Sequence, residues 1–337
     1  MKKYCVAVVG ATGAVGREML RTLEAREFPV RHLRAMASAR SAGQTVEFRG
    51  EAIVVEDLET ASFDGVDFAL FSAGGSTSLV HGPRAVEEGV IVIDNTSAFR
   101  MRPDVPLVVP EVNSHALDAH QGIIANPNCS TIQMVVALKP IADAAGLERI
   151  IVSTYQSASG AGQKGIEELM AGARAFVNGE ADPEPKAFAH PLAFDVLPQI
   201  DVFNENGFTR EELKMVDETR KIMELDDVEV AATCVRVPVL RGHSESVTVD
   251  LTRPLSAERA RELWKGAPGV ELYDDPSALK YPLARQAEGT DGTWIGRVRN
   301  DLHRPNTLHF WVVSDNLRKG AALNAVQIAE ILVERSL

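Results

Sequence analysis

The sequence predicts an α/β protein of two domains, a doubly wound parallel sheet followed by an α+β domain with a mixed sheet. Three observations carry this. Up to about residue 130, short apolar runs that end in small or polar turns alternate with helical periodicity, the signature of strands joined by crossover helices. The first of these turns is rich in glycine. Beyond it, two-residue alternation dominates and strand-like runs follow one another directly. The 337 residues suit two domains at about 100–200 residues each.

The first run, Tyr4 to Val9, is apolar and β-branched and opens into Gly10-Ala11-Thr12-Gly13-Ala14-Val15-Gly16, after which Arg17 to Leu23 read as a helix. Strand, glycine turn and helix make a Rossmann-type dinucleotide site. Glycines let the backbone approach a pyrophosphate, and the helix start offers unpaired N–H donors. The spacing is GxxGxxG, and the alternative is an ordinary tight turn. The second strand, near His32 to Ala37, tests the cofactor. No acid occurs between Glu27 and Glu47, where an NAD enzyme would place one for the ribose. Ser38, Arg40 and Ser41 suit a 2′-phosphate instead, which favours NADP.

Val66 to Phe71 is a further strand, followed by Ser72-Ala73-Gly74-Gly75; these small residues can let a second turn reach the cofactor or simply cap the next helix. Gly89 to Asp94 is another strand, ending near Arg100, a candidate anion ligand. Gly122 to Ala125 lead into Asn126-Pro127-Asn128-Cys129-Ser130-Thr131, and a helical pattern begins at Thr131. Cys129 therefore falls at a helix N-terminus, where the dipole and free N–H groups stabilise a thiolate. It is a candidate nucleophile, although a lone cysteine is often a small buried hydrophobe.

Ile150 to Gln156 alternate with period two and precede Ser157-Ala158-Ser159-Gly160-Ala161-Gly162-Gln163-Lys164-Gly165. Gly165 stands where a triphosphatase loop needs Ser or Thr, so that reading is rejected. Asn178 to Asn206 lack periodicity. A helix over Thr209 to Met223 carries Glu211 and Lys214 three residues apart. Val228 to Leu240 and Glu245 to Thr252 read as strands, with His243 in the glycine-containing turn between them. Asn316 to Leu337 read as a final amphipathic helix.

Three cysteines without a CxxC pair suggest neither a zinc cluster nor disulfides. A net charge of −12 argues against nucleic acid or an anionic membrane as partner. No apolar run approaches a membrane span, and the N-terminus lacks a leader pattern, so a cytoplasmic location is expected.

Taken together, GATGAVG, NTSAFRM around Arg100, NPNCST around Cys129 and RVPVLRGHSES around Arg236 and His243 resemble the aspartate-β-semialdehyde dehydrogenase family, most closely its Gram-positive-like bacterial group. The resemblance runs through nearly the whole chain. It implies NADPH-dependent reductive dephosphorylation of L-aspartyl-4-phosphate to L-aspartate 4-semialdehyde and phosphate, in the biosynthesis of lysine and diaminopimelate, threonine, methionine and isoleucine. It implies that Cys129 forms a thioester, His243 is the acid/base catalyst and Gln156 orients the substrate. Arg236 would bind the carboxylate, Glu211 the amino group, and Arg100 and Lys214 the phosphate, with Asn128 also at the substrate. Cofactor contacts would come from the Gly10–Gly16 turn, Ser38, Arg40, Ser41, Ser72, Gly74, Ser159, Gly160 and Asn316, with no metal. The domains implied are 1–128 for NADP, completed by a helix over 316–337 that packs back on it, and 129–315 for catalysis and dimerisation. The family forms homodimers or homotetramers.

The residue chemistry agrees. An acyl phosphate needs cations for its anionic groups, a thiolate to attack it and a group titrating near neutrality. Competing readings are N-acetyl-γ-glutamyl phosphate reductase, malonyl-CoA reductase and a non-catalytic NADP-binding paralogue. Glu211 disfavours the first two, which present no amine, and retention of both Cys129 and His243 disfavours the third. The missing acid after the second strand disfavours a glyceraldehyde-phosphate dehydrogenase.

Overall fold

A computed structural model of the chain describes residues 2–335. The chain divides into two compact units, Met1–Asn128 with Ala321–Leu337, and Cys129–Gly320. Each is an α/β layer structure with its own core.

In the first unit, strands β1 (Tyr4–Val9), β2 (Val30–Ala37), β3 (Thr45–Phe48), β4 (Glu51–Asp57), β5 (Phe68–Phe71), β6 (Ile91–Asp94) and β7 (Ile123–Ala125) form one sheet in the order β3-β4-β2-β1-β5-β6-β7. All neighbours pair in parallel except β3, which hydrogen-bonds antiparallel to β4. That edge hairpin is not expected from the sequence, since its alternation is short and polar. Parallel strands buried on both faces must be apolar throughout, and β1 and β5 are buried at every position. The helix Leu323–Arg335 returns to this unit and buries Ala325, Val326, Ile328, Ala329 and Leu332 in the same core as Val6, Val8 and Leu20.

That helix starts later than the amphipathic pattern predicts. Arg318–Ala322 form a π-helical turn, and the regular helix begins only at Leu323. The side chains of Asp315 and Asn316 bind other loops instead of propagating a helix, as described below. Ser336 and Leu337 lie outside the described residues.

In the second unit, β8 (Leu147–Gln156), β9 (Glu229–Arg236), β10 (His243–Leu251), β11 (Val270–Leu272), β12 (Thr293–Asn300) and β13 (Thr307–Ser314) form a mixed sheet ordered β11-β12-β13-β10-β8-β9. The helix Cys129–Ala145 packs on one face and is buried almost all round. Trp264, fully buried, donates its indole N–H to the Ala137 carbonyl at 2.8 Å and so fixes that helix to the core. The stretch between Asn178 and Arg210 contains no helix or strand, in line with its lack of periodicity. His243 departs from expectation. It is the first residue of β10 and pairs with Ser314 rather than standing in a free turn. Gly242 takes the turn alone, with φ +90°.

Candidate active site

The register of the mixed sheet sorts one of its faces into rows. Gln156 pairs with Arg236 on β9, and His243 pairs with Ser314 on β13. Ser244 pairs with Tyr155, which puts His243 one step on, beside Gln156. Arg236, Gln156, His243 and Ser314 therefore form a single row across four strands at one end of the sheet. Two residues inward, on the same face, Cys234, Thr154, Glu245 and Val312 form a second row. The third is apolar: Ala232, Val152, Val247 and Phe310. Period-two alternation thus grades the face from hydrocarbon, through buried polar groups, to a reactive edge.

In the outer row, Arg236 is 6 % exposed and its Nη1 donates to the Ser157 carbonyl at 2.7 Å. Burial pushes the guanidinium below its ordinary value, opposed by Glu211 and by the sulfurs of Cys129 and Cys234. Arginine still stays charged at neutral pH. Gln156 Nε2 donates to Glu211 Oε1 at 3.2 Å, and Lys214 Nζ donates to Glu211 Oε2 at 3.1 Å and to Asp201 Oδ2 at 2.9 Å. Burial works against the Lys214 ammonium, but the two carboxylates outweigh it and raise its pKa. Burial would likewise raise Asp201, yet Lys214 and the Val202 N–H hold it below the usual carboxylate range. Glu211 sits in the first turn of the helix Arg210–Met223, whose start is fixed by a capping box between Thr209 and Glu212. Asp201 escaped the sequence reading because it lies in the aperiodic stretch, far from any motif.

His243 is fully buried, and its pKa is lowered well below the imidazole norm, first by burial and then by Arg236. The loops beside it are tied together by Asn316. Asn316 Oδ1 accepts from Gly242 N at 2.9 Å, Ser159 Oγ at 3.0 Å and Ser157 Oγ at 3.2 Å. Its neighbour Asp315 takes Arg241 Nε at 2.9 Å and Gly289 N at 2.7 Å. Asn316 was expected at the cofactor; its oxygen is used to hold the His243 turn. Gly160 is equally constrained. A Cβ there would lie 2.5 Å from Arg236 Nη1 and 3.2 Å from His243 Nε2.

Cys129 opens its helix and is partly exposed, whereas Cys5 and Cys234 are buried with thiols pushed up by desolvation. Of the three, Cys129 alone has both access and a helix N-terminus. The π-helical turn brings Gly320 against it: a Cβ on Gly320 would meet Cys129 Cβ at 2.8 Å and Cα at 3.2 Å. An isolated glycine in a helical run is the signal that points to such a close approach.

Glu245 in the second row carries no expected role. It is fully buried, and neither carboxyl oxygen makes a hydrogen bond among the described residues. Burial raises its pKa well above the ordinary 4.5, and Gln133, on the Cys129 helix, offsets little of this. The carboxyl is favoured protonated in the fold, so its stabilisation is complete below the ordinary pKa and is lost as pH rises above it. Glu245→Gln, the isostere of the neutral acid, should melt with the wild type near about pH 4 and at higher temperature as pH increases. The gap should widen by up to about 1.4 kcal/mol per pH unit. Thermal melts across pH decide it; a constant gap would mean that Glu245 does not titrate against folding.

The expected cofactor and phosphate residues of the first unit lie as follows. The Gly10–Gly16 turn joins β1 to the helix Ala14–Ala25, which has Gly13 as N-cap and no side-chain cap. Gly10 has φ +87°, and a Cβ on it would meet the Ser72 carbonyl at 2.5 Å; a Cβ on Gly16 would collide with the Gly10 carbonyl. Ser72 and Gly74 thus abut the first turn, and Gly74 caps the helix Gly75–Glu87, again with no side-chain bond. Ser38 and Arg40 are exposed after β2, and Ser41 accepts from Thr12 Oγ1 at 3.3 Å. Arg100 is buried, with Nε on the Asn126 carbonyl at 3.0 Å and Nη2 on the Asn95 carbonyl at 2.9 Å. It braces the turn leading to Asn128, which is buried in this unit. No cluster of His, Cys, Asp or Glu suited to a metal occurs among the described residues, and no described helix is long and apolar enough to cross a membrane.

A glycine-turn sheet followed by a mixed-sheet domain with a helix-start cysteine defines a class, and the chain matches it. Residues 5–120 match the semialdehyde dehydrogenase NAD binding domain, and residues 138–319 match the semialdehyde dehydrogenase dimerisation domain. The chain is 54% identical over 337 residues to an aspartate-semialdehyde dehydrogenase of Aquifex aeolicus, covering 99% of each, and 54% identical to that of Bacillus subtilis, covering 98% of each. It superposes with TM-score 0.97, at 50% identity and 99% coverage of both chains, on aspartate semialdehyde dehydrogenase II from Vibrio cholerae complexed with ASA. A Candida albicans aspartate semialdehyde dehydrogenase solved with NADP shares the fold, with TM-score 0.77 at 24% identity and 98% coverage of each. The chain belongs to the aspartate-semialdehyde dehydrogenase family.

Proposed function

We propose that the protein converts L-aspartyl-4-phosphate to L-aspartate 4-semialdehyde and phosphate with NADPH, through a thioester on Cys129. The observation that carries this reading is the row Arg236, Gln156 and His243, together with a partly exposed cysteine at a helix start in the same unit. Residues 1–128 with the C-terminal helix form the cofactor domain in this reading, and the second unit the catalytic and dimerisation domain.

The glycine turn fits a dinucleotide. Its backbone is open where side chains would collide, its helix start has no side-chain cap, and Arg40 with Ser38 and Ser41 replaces the acid that would read an unphosphorylated ribose. When bound, the nicotinamide supplies the hydride that reduces the thioester. Arg236 holds the substrate carboxylate as a buried bidentate donor. Glu211, already turned toward cations by Lys214, accepts the substrate ammonium. Lys214 and Arg100 are assigned to the phosphate, and Gln156, bonded to Glu211, orients the acyl group. Cys129 Sγ attacks the acyl carbon; the C–S bond forms as the C–O bond to phosphate breaks and its electron pair leaves with phosphate.

The test is phosphate-dependent NADP⁺ reduction by aspartate semialdehyde, run beside N-acetylglutamate semialdehyde and malonate semialdehyde. Aspartate semialdehyde should be preferred by a factor on the order of 10² or more, because neither competitor offers a free ammonium to Glu211. Preference for either competitor overturns the substrate.

The sheet face opposite the catalytic rows carries a groove of about 530 Å³ lined by Tyr155, Ser244, Ser246 and Trp311, with Ile151 and Tyr155 more than a third exposed. A second copy of the chain is the proposed cover, giving a homodimer, and light scattering at micromolar concentration should read twice the chain mass.

A further inference from the structure

Lys214 is held between two carboxylates. Its Nζ donates to Glu211 Oε2 at 3.1 Å, three residues back on the same helix, and to Asp201 Oδ2 at 2.9 Å. Glu211 Oε1 in turn accepts from Gln156 Nε2 at 3.2 Å. Asp201 thus stands at the outer end of a run of polar contacts that finishes in the row of Gln156 and Arg236. The function proposed above gives Glu211 and Lys214 their partners and leaves Asp201 without a task.

The backbone places Asp201 from both sides. Upstream, Leu197 exchanges both backbone hydrogen bonds with Arg236, at 2.9 and 2.8 Å. Ile200 is buried in the core that also holds Met215. Downstream, the Val202 carbonyl accepts from Arg210 N at 3.0 Å and Phe203 bridges to Thr209, so the chain turns directly into the helix of Lys214. Asp201 itself has φ +69°, in the left-handed region where Asp and Asn are enriched among side-chain-bearing residues. Its Oδ1 accepts from Val202 N at 2.9 Å, while Oδ2 takes Lys214. Burial alone would raise this carboxyl, but Lys214, the Val202 N–H and Arg210 hold it below the usual range, ionised at neutral pH.

We propose that Asp201 is a positioning residue that restrains Lys214, weakening its hold on phosphate and so setting how readily phosphate leaves. The identity of the anion rests on the function proposed above; the restraint on Lys214 does not.

The charges give the sign. An ammonium has three N–H donors, and two of those on Lys214 already serve carboxylates. An arriving phosphate therefore meets one donor and a cation whose field two anions oppose. A substrate ammonium at Glu211 removes one of these opponents. Asp201 is assigned no substrate group, so it stays a competing anion throughout. Phosphate freed as Cys129 is acylated departs from a cation that already has a resident partner.

Asp201→Asn tests this on the whole protein, because asparagine keeps the size, an acceptor oxygen and the tolerance of positive φ. Titration calorimetry with inorganic phosphate should show binding tightened by about fivefold, a moderate gain because the Lys214 side chain is 26% exposed to screening solvent. In a Lys214→Gln background the same substitution should change phosphate binding by less than about twofold. In initial rates of NADP⁺ reduction, the KM for phosphate should fall by the calorimetric factor while that for aspartate semialdehyde stays within about twofold. Phosphate binding that is unchanged, weaker or undetectable in Asp201→Asn overturns the proposal, as does an equal gain without Lys214. A parallel rise in both KM values, the mark of a merely structural role, overturns it too. Wild-type inactivity on aspartate semialdehyde would overturn the assigned function, and the phosphate titrations would still decide the role of Asp201.

Discussion

Cys129→Ala is expected to reduce turnover of aspartate semialdehyde by a factor on the order of 10⁴ or more while NADP⁺ affinity stays nearly unchanged. The reasoning is local. Cys129 is the first residue of a helix whose other side chains are mostly buried, so alanine, a strong helix former, leaves the helix intact. The groups around the sulfur, Arg236 above all, are held by their own bonds to the Ser157 carbonyl and within the sheet register, so they do not depend on the thiol. The glycine turn and its helix belong to the other unit. Cofactor titration followed by fluorescence, beside initial rates, separates the two effects. Retention of wild-type rate would exclude the thioester; loss of cofactor binding would mean that Cys129 supports the fold and not the chemistry.

Gly320→Ala should lower kcat by about 10- to 100-fold with little change in melting temperature. A Cβ at 2.8 Å from Cys129 Cβ cannot be accommodated without movement, and what yields is either the helix start or the π-helical turn Arg318–Ala322. Misplacing a nucleophile by about 1 Å costs roughly 10²-fold. Ala321 and Ala322 follow Gly320 in the same turn and are themselves buried, so Ala322→Gly serves as a control that alters the turn without adding an atom at position 320. If Gly320→Ala reacted with a thiol reagent and turned over at the wild-type rate, the close approach would have no bearing on catalysis.

Much of this was legible beforehand for reasons that are local. β1, the glycine turn and its helix follow from a β-branched run, steric demands on Gly10 and Gly16, and 3.6-residue periodicity, each contained within about twenty residues. Cys129 at a helix start was readable in the same way, and so was the pairing of Glu211 with Lys214 on one helix face. The β3–β4 hairpin was not, because its short alternation carries charges at an exposed edge. His243 was expected in a turn, because Gly242 is a local signal and the pairing with Ser314, 71 residues on in sequence numbering, is not.

The split between the two kinds of information is physical. Backbone conformation and side-chain periodicity are set by near neighbours, so sequence alone determined the two-domain α/β character, the glycine turn and the candidate nucleophile. Register, burial and hydrogen-bond direction arise between segments far apart in the chain. Only the folded sheet aligned Arg236, Gln156 and His243 in one row, and only burial behind that row could push the Glu245 carboxyl well above its ordinary pKa. The Ser157 amide reached His243 across 86 positions, and Gly320 came against Cys129 at 2.8 Å, because close packing, not local preference, chose which atoms would meet.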